Sequence, residues 1–255
     1  MPYQHYIFSA QLYNHQGNPN QMIVNQIPKV KICGNTTIED ALMAAYAGAD
    51  AIGVINVANT KRYIDLETAK QIFQALPIFI SKVVVVALDT MPVDAAYNQL
   101  KSIERIGADC IQLHGEESKE LVTELRKRTN SRIRLIKKVG VSTDERECLE
   151  NALAYEPVVD AILLDTVVVG GTGETGGTGK EHDWRISKQI VERLKTPVIL
   201  AGGLNPDTVT QAIAQVKPFA VDVSSGVERE IRRKDEFKVK RFVAAAKSVK
   251  TSSRI

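Results

Sequence analysis

Cys33 closes the apolar run Lys31-Ile32-Cys33 and is followed by Gly34. A lone cysteine in such a place packs as a small hydrophobe, or serves as a base when a cation favours its thiolate. Lys31, two residues earlier, falls on the same side of an extended strand. A buried ammonium needs a partner, and Asp222 in Val221-Asp222-Val223 is the carboxylate that suits. The expectation is that Lys31 and Asp222 meet beneath Cys33 and that the cation favours the thiolate. Heads more than about 6 Å apart would exclude it. Asp165 ends the apolar run 161–165. It is either a helix N-cap or a pocket carboxyl whose pKa desolvation raises, which suits a general acid. An acid facing a base points to proton shuffling, not group transfer.

A second set of residues suits anions. Gly202-Gly203 precedes Asn205-Pro206, and Ser224-Ser225-Gly226 follows another apolar run. Backbone N–H groups, a helix N-terminus and hydroxyls hold phosphate in this way; tight turning alone is the simpler account. Arg62 could clamp a carboxylate bidentately or stand as a solvated base. His114 is a pocket donor or a plain strand-end residue. Lys137-Lys138 raises a Schiff-base possibility, since one of two adjacent strand residues points inward. Four histidines show no metal spacing, and Cys33, Cys110 and Cys148 show no CxxC pair, so a reducing cytoplasm fits best.

These residues need a frame that gathers them. Near-continuous Val/Ile/Leu/Ala runs recur at 29–33, 50–55, 81–87, 109–114, 133–139, 160–165, 197–203 and 219–225. Such runs suit parallel strands covered on both faces. Amphipathic segments alternate with them at 37–47, 66–76, 93–106, 119–127, 144–155, 184–194, 207–216 and 236–249. Thr36 and Glu39 have capping-box spacing, Asn205-Pro206 reads as a helix start, and Gly48 and Gly107 each end a helix. Strand and helix alternating eight times predict a single (β/α)8 TIM barrel; a doubly wound sheet would want an early GxGxxG turn. In a barrel the strand ends Cys33, Asn56, Asp89, His114, Val139, Asp165, Gly202-Gly203 and Ser224–Gly226 share one pocket.

The 255 residues fit one barrel, or two small domains, and the alternation decides for the barrel, residues 28–255. Residues 1–27 precede it as an extension: an extra strand, a cover for the barrel floor or a loose arm. They have no apolar core flanked by base, so they are no secretory signal. Residues 170–180 read GGTGETGGTGK, a mobile lid, a phosphate cradle or a spacer. A net charge of +3 and 5% aromatics argue against a nucleic-acid binder, and no apolar run is long enough for a membrane.

KICG at 31–34, QLHG at 112–115, LLD at 163–165, GGTG before Asp183-Trp184, LAGGL at 200–204 and VDVSSGVE at 221–228 occur in that order. Together, over about residues 29–247, they closely resemble the phosphoribosylanthranilate isomerase family of tryptophan biosynthesis. His182-Asp183-Trp184 and the run 83–87 look more like archaeal members. The resemblance implies an Amadori rearrangement of N-(5-phosphoribosyl)anthranilate to 1-(2-carboxyphenylamino)-1-deoxyribulose 5-phosphate, without metal or coenzyme. It puts the general base on Cys33 and the general acid on Asp165. It puts the substrate carboxylate on Arg62, supporting pocket roles on His114 and Asp222, and phosphate on Gly202, Gly203, Ser224, Ser225 and Gly226. The implied protein is cytoplasmic, a monomer or homodimer, without nucleic-acid or membrane partners. Three departures stand out: the extension, the second GGTG copy, and Arg229-Glu230-Ile231-Arg232-Arg233 in place of a Gly-rich turn. The last leaves a basic patch near the phosphate loop, or simply solvated charge. The alternatives are a related sugar-phosphate isomerase of histidine biosynthesis and a non-catalytic sugar-phosphate-binding barrel. The first relies on paired aspartates and duplicated halves, whereas Cys33 ends strand one here. The second would need neither Cys33 nor Asp165.

Overall fold

The computed structural model describes residues 23–129, 132–167 and 183–254. Eight parallel strands close into a barrel in chain order. They are β1 (Lys29–Ile32), β2 (Ala51–Ile55), β3 (Ser81–Val86), β4 (Cys110–Leu113), β5 (Arg134–Val141), β6 (Ala161–Thr166), β7 (Val198–Leu200) and β8 (Ala220–Val223). The helices between and after them are α1 (Ile38–Tyr46), α2 (Leu66–Ala75), α3 (Val93–Arg105), α4 (Lys119–Arg128), α5 (Glu145–Tyr155), α6 (Trp184–Arg193), α7 (Val209–Val216) and α8 (Glu236–Ser248).

The unbroken apolar strands are explained by two separate cores. Val30, Ile32, Val84, Val86, Leu135 and Ile162 pack outward under the helices, while Val83, Ile136, Leu163, Ile199 and Ala220 fill the barrel itself. Successive strand residues alternate between the two, so both faces must be apolar. Closure sets Lys31 of β1 opposite Asp222 of β8.

Helix starts follow local chemistry. Asp65, Ser118, Asp144 and Asp235 each accept a backbone N–H from the first turn. The first helix corrects the expected capping box. Thr37, not Thr36, is the N-cap and accepts from the Asp40 N–H, while the Thr36 hydroxyl donates to the Arg232 carbonyl. Asn205 Oδ1 accepts from the Asp207 and Thr208 N–H groups, so it opens the turn that leads into α7 at Val209. Gly48 and Gly107 take φ of +99° and +85° just past α1 and α3, the left-handed stop that suits glycine.

Strand Ile23–Gln26 pairs antiparallel with Thr251–Arg254, outside the barrel. The end of the extension is therefore an extra strand fixed to the chain's C-terminal strand; residues 1–22 lie outside the described residues, as does the Gly-rich segment 170–180. Among the described residues no helix is long and apolar enough to cross a membrane.

Candidate active site

Cys33 sits one residue past β1, where its N–H donates to the Val223 carbonyl at 2.8 Å. The bend that follows is built by Gly34, at φ +71°, and by Asn35. The buried Asn35 amide donates to the carbonyls of Ile32 at 2.8 Å and Gly53 at 3.1 Å, tying the end of β1 to β2. Gly53 itself makes the room. A methyl there would stand 2.9 Å from Cys33 Sγ and 3.0 Å from Lys31 Cε. Sequence reasoning missed Gly53 and Asn35; a glycine inside the β-branched run AIGVI was the available signal.

Beneath Cys33, Lys31 Nζ donates to Asp222 Oδ1 at 2.9 Å, with side chains only 4% and 10% exposed. The two heads meet as the strand pattern predicts. Burial alone would weaken the ammonium, but Asp222 outweighs it and holds the Lys31 pKa above its ordinary value. Lys31 does favour the Cys33 thiolate, as expected, but burial outweighs it. Burial pushes the thiol pKa up; Lys31 opposes this and Asp222 adds to it, leaving the net direction upward. The resting group is a thiol because an ammonium shared with Asp222 does not repay desolvation of a buried thiolate.

Among the described residues Asp165, in β6, caps no helix; Asp183 caps α6. Asp165 Oδ1 accepts the Thr166 N–H at 2.8 Å. Its side chain is 12% exposed, and burial lifts its pKa to about 6, with Asp222 adding to the rise and the Thr166 N–H, Lys138 and Lys31 opposing it. His114 Nε2 lies 3.7 Å from Asp165 Oδ2, and His114 Nδ1 lies 3.0 Å from Gln112 Nε2. Burial, then the charges of Lys138, Lys31 and Lys137, lower the His114 pKa to about 3. The imidazole is thus neutral, and with the Gln112 amide donating to Nδ1 its proton is on Nε2, facing Asp165.

The two lysines of β5 take different roles. Ile136 lies in the barrel core, so alternation turns Lys138 inward and Lys137 outward. Lys137 Nζ donates to the Gly115 carbonyl at 2.7 Å and to Glu117 Oε2 at 2.9 Å, with Glu117 fully buried. It braces β5 to the loop after β4 and is no pocket nucleophile. Lys138 Nζ meets Glu116 Oε1 at 2.6 Å. Val139, expected at the strand end, instead packs in the outer core, because β5 continues to Val141.

The loop after β2 carries Arg62 to the same mouth. Asn56 Nδ2 donates to the Ile64 carbonyl at 2.9 Å and closes that loop. Arg62 lies over Gly34, where an added methyl would sit 2.7 Å from Arg62 Cδ and 2.7 Å from Ser224 Oγ. Its Nε/Nη2 edge is engaged bidentately by Glu228 at 2.7 and 2.6 Å. Sequence reasoning missed Glu228 as this partner.

The loops after β7 and β8 are pressed together. Gly202 and Gly203 take φ of +82° and +69°. A methyl on Gly226 would stand 2.0 Å from the Leu204 carbonyl oxygen, a backbone approach that needs glycine. Among the described residues, Ser224 Oγ is buried without a hydrogen-bond partner. The expected basic patch is not a free one. Arg232 donates to the carbonyls of Lys61 and Tyr63, Arg233 lies 3.5 Å from Asp40, and Lys234 is buried.

The chain and its fold are similar to known proteins. The profile of the N-(5'-phosphoribosyl)anthranilate (PRA) isomerase family matches residues 30–245. The archaeal N-(5'-phosphoribosyl)anthranilate isomerase of Methanocella arvoryzae is 41% identical over 223 residues, covering 87% of this chain and 99% of its own. A phosphoribosylanthranilate isomerase crystallised with reduced 1-(o-carboxyphenylamino)-1-deoxyribulose 5-phosphate superposes with a TM-score of 0.72 at 37% identity, over 87% of this chain and all of the other. Monomers generated from the dimeric enzyme of Thermotoga maritima give the same TM-score, 0.72, at 37% identity and the same coverage, 87% and 100%. On this fold, this order of motifs and this likeness, the chain belongs to the phosphoribosylanthranilate isomerase family.

Proposed function

We propose that the chain isomerises N-(5'-phosphoribosyl)anthranilate to 1-(o-carboxyphenylamino)-1-deoxyribulose 5-phosphate, with Asp165 as general acid and Cys33 as general base. One observation carries the assignment. The buried Lys31–Asp222 pair acts on both groups, and Asp222 raises the proton affinity of Cys33 and of Asp165 alike. Asp165, lifted to about 6, is a carboxyl able to give its proton to the furanose ring oxygen. The C1–oxygen bond breaks as the anilino nitrogen supplies electrons, leaving an iminium. Cys33 then takes the proton from C2, and the electron pair moves to form the enolamine. Gain of a proton at C1 and loss of one from the C2 hydroxyl give the ketone, so atoms and electrons balance. The thiolate that takes the C2 proton forms beforehand, when the proton shared by the two groups passes from Cys33 to Asp165, and Lys31 stabilises it until the C2 proton returns it to the thiol. His114, neutral and 3.7 Å from Asp165, lies beyond hydrogen-bond range of the carboxyl and does not compete for its proton.

The remaining residues bind the two ends of the substrate. Gly202, Gly203, Ser224, Ser225 and Gly226 present backbone N–H groups and hydroxyls to the phosphate, which gives the buried Ser224 Oγ a partner. Arg62 takes the ring carboxylate. The barrel of residues 28–255 is the catalytic unit and 1–27 an appendage, in a cytoplasmic enzyme. Ile78 and Phe79 are 81% and 93% exposed at the floor, beside a cavity of about 480 Å³ lined by Val83, Cys110 and Ile199. Following its dimeric Thermotoga relative, we assign this apolar face to a second copy of the chain. Purified full-length protein mixed with freshly made phosphoribosylanthranilate should consume its anthranilate fluorescence. Absence of turnover would overturn the reading.

A further inference from the structure

Past β8 the chain makes a small hairpin, strand Glu228–Glu230 paired with Arg233–Lys234. One buried carboxylate at its base joins two cations. Glu228 accepts from Arg62 Nε and Nη2 at 2.7 and 2.6 Å and from Lys234 Nζ at 3.2 Å. Lys234 also donates to the Ser224 carbonyl at 3.1 Å, inside the loop assigned to phosphate. The tip grips the other side. Arg232, at φ +75°, donates through Nη1 to the carbonyls of Lys61 and Tyr63, which flank Arg62, at 3.3 and 3.0 Å. The Thr36 hydroxyl holds the Arg232 carbonyl in turn at 2.8 Å.

This is a poor device for stability, since desolvating two cations for one anion repays little against apolar packing. It is a good device for aim. The guanidinium is held side-on by one edge, its loop backbone is clasped on both sides, and the whole is tied to the phosphate loop. We propose that the hairpin Glu228–Lys234 is a positioning element that fixes the distance between the carboxylate clamp and the phosphate loop. Glu228 aims Arg62, Arg232 holds the backbone beside it, and Lys234 locks both to Ser224. The ligand class it selects is one bearing an aromatic carboxylate and a phosphate at one set separation. The proposal rests on the reading of Arg62 as the carboxylate clamp.

The test compares two ligands on folded full-length protein: the reduced product analogue, and the same compound without its ring carboxylate. Glu228→Gln should raise KM, and Kd for the carboxylate ligand, by about tenfold or more. Its kcat should stay within about threefold of the wild type, and the ligand without the carboxylate should bind as before. Arg232→Ala, at the exposed tip, removes only bonds to carbonyls and should give the same pattern at smaller size. Combining Glu228→Gln with Arg62→Lys should be no worse than the weaker-binding single variant. If Glu228→Gln and Arg232→Ala weaken both ligands equally, or neither, the hairpin does not aim the clamp and the proposal is wrong. Wild-type protein that fails to turn over the substrate would instead remove the isomerase reading, and the inference with it.

Discussion

Asp165 combines burial with an expected proton-donor role, and the two have opposite effects on stability and activity. Its pKa rises from 3.8 to about 6 because the folded barrel desolvates it. Between those pH values the unfolded chain has released this proton while the folded chain still holds it, so stability falls as pH rises through the window. At pH 7 the ionised group costs about 3 kcal/mol relative to acid conditions. Asp165→Asn should therefore raise the thermal midpoint measured near pH 7.5 by up to about 6–12 °C, at about 2–4 °C per kcal/mol for this size. An unchanged or lowered midpoint would show that the carboxylate is better solvated than its burial indicates. Activity should follow the pair. Cys33 resists ionisation, so between about pH 6 and the thiol's raised pKa the two groups share one proton, and the reactive form has it on Asp165. kcat/KM should be flat across that span and fall about tenfold per pH unit below about 6, where both are protonated. In Asp165→Asn the acidic limb should move up to the Cys33 pKa. A limb that stays near 6 belongs instead to the substrate phosphate. Cys33 and Asp165 were legible in the sequence because each ends an apolar strand. The state of the thiol was not, because it depends on how burial, Lys31 and Asp222 balance in three dimensions.

At the scale of elements, two glycines decide how closely loops and strands approach. Gly226→Ala would drive a methyl to 2.0 Å from the Leu204 carbonyl and part the loops after β7 and β8. The expected outcome is a rise of about tenfold or more in the Kd for inorganic phosphate, together with a lowered thermal midpoint. Equal phosphate affinity would mean that these loops do not form the anion site. The VDVSSGVE motif made this loop legible, but the need for its glycine lies in contact with a segment some twenty residues away. Lys137 shows the same limit. Two adjacent lysines on one strand could not be told apart by sequence, because the side each faces depends on the strand's register in the barrel. Register turned Lys137 toward the fully buried Glu117, and removing that carboxylate by Glu117→Ala should cost about 3–5 kcal/mol in denaturant unfolding. The Thr36 to Thr37 shift at the start of α1 has a non-local cause, since the Arg232 carbonyl of a distant hairpin takes the Thr36 hydroxyl.

For the whole molecule, eight alternations of apolar run and amphipathic segment determined the barrel before any contact was known. What alternation could not place was the material outside the repeat. The pairing of Ile23–Gln26 with Thr251–Arg254 joins segments more than 220 residues apart and leaves no periodic trace. Nor could it show that the basic run after Glu228 is folded into a hairpin around Arg62. The exposed Phe79 belongs to this scale as well. Phe79→Asp should shift the protein from dimer to monomer in light scattering, while a wild type that is already monomeric would contradict the assigned face. The central claim is that Cys33 and Asp165 move the protons of an isomerisation. Its most direct test is turnover of phosphoribosylanthranilate by Cys33→Ala and Asp165→Asn beside their affinity for the reduced product analogue. Each variant should lose about 10²–10⁴-fold in kcat while still binding the analogue. A variant that retains near wild-type turnover would contradict the role given to that residue.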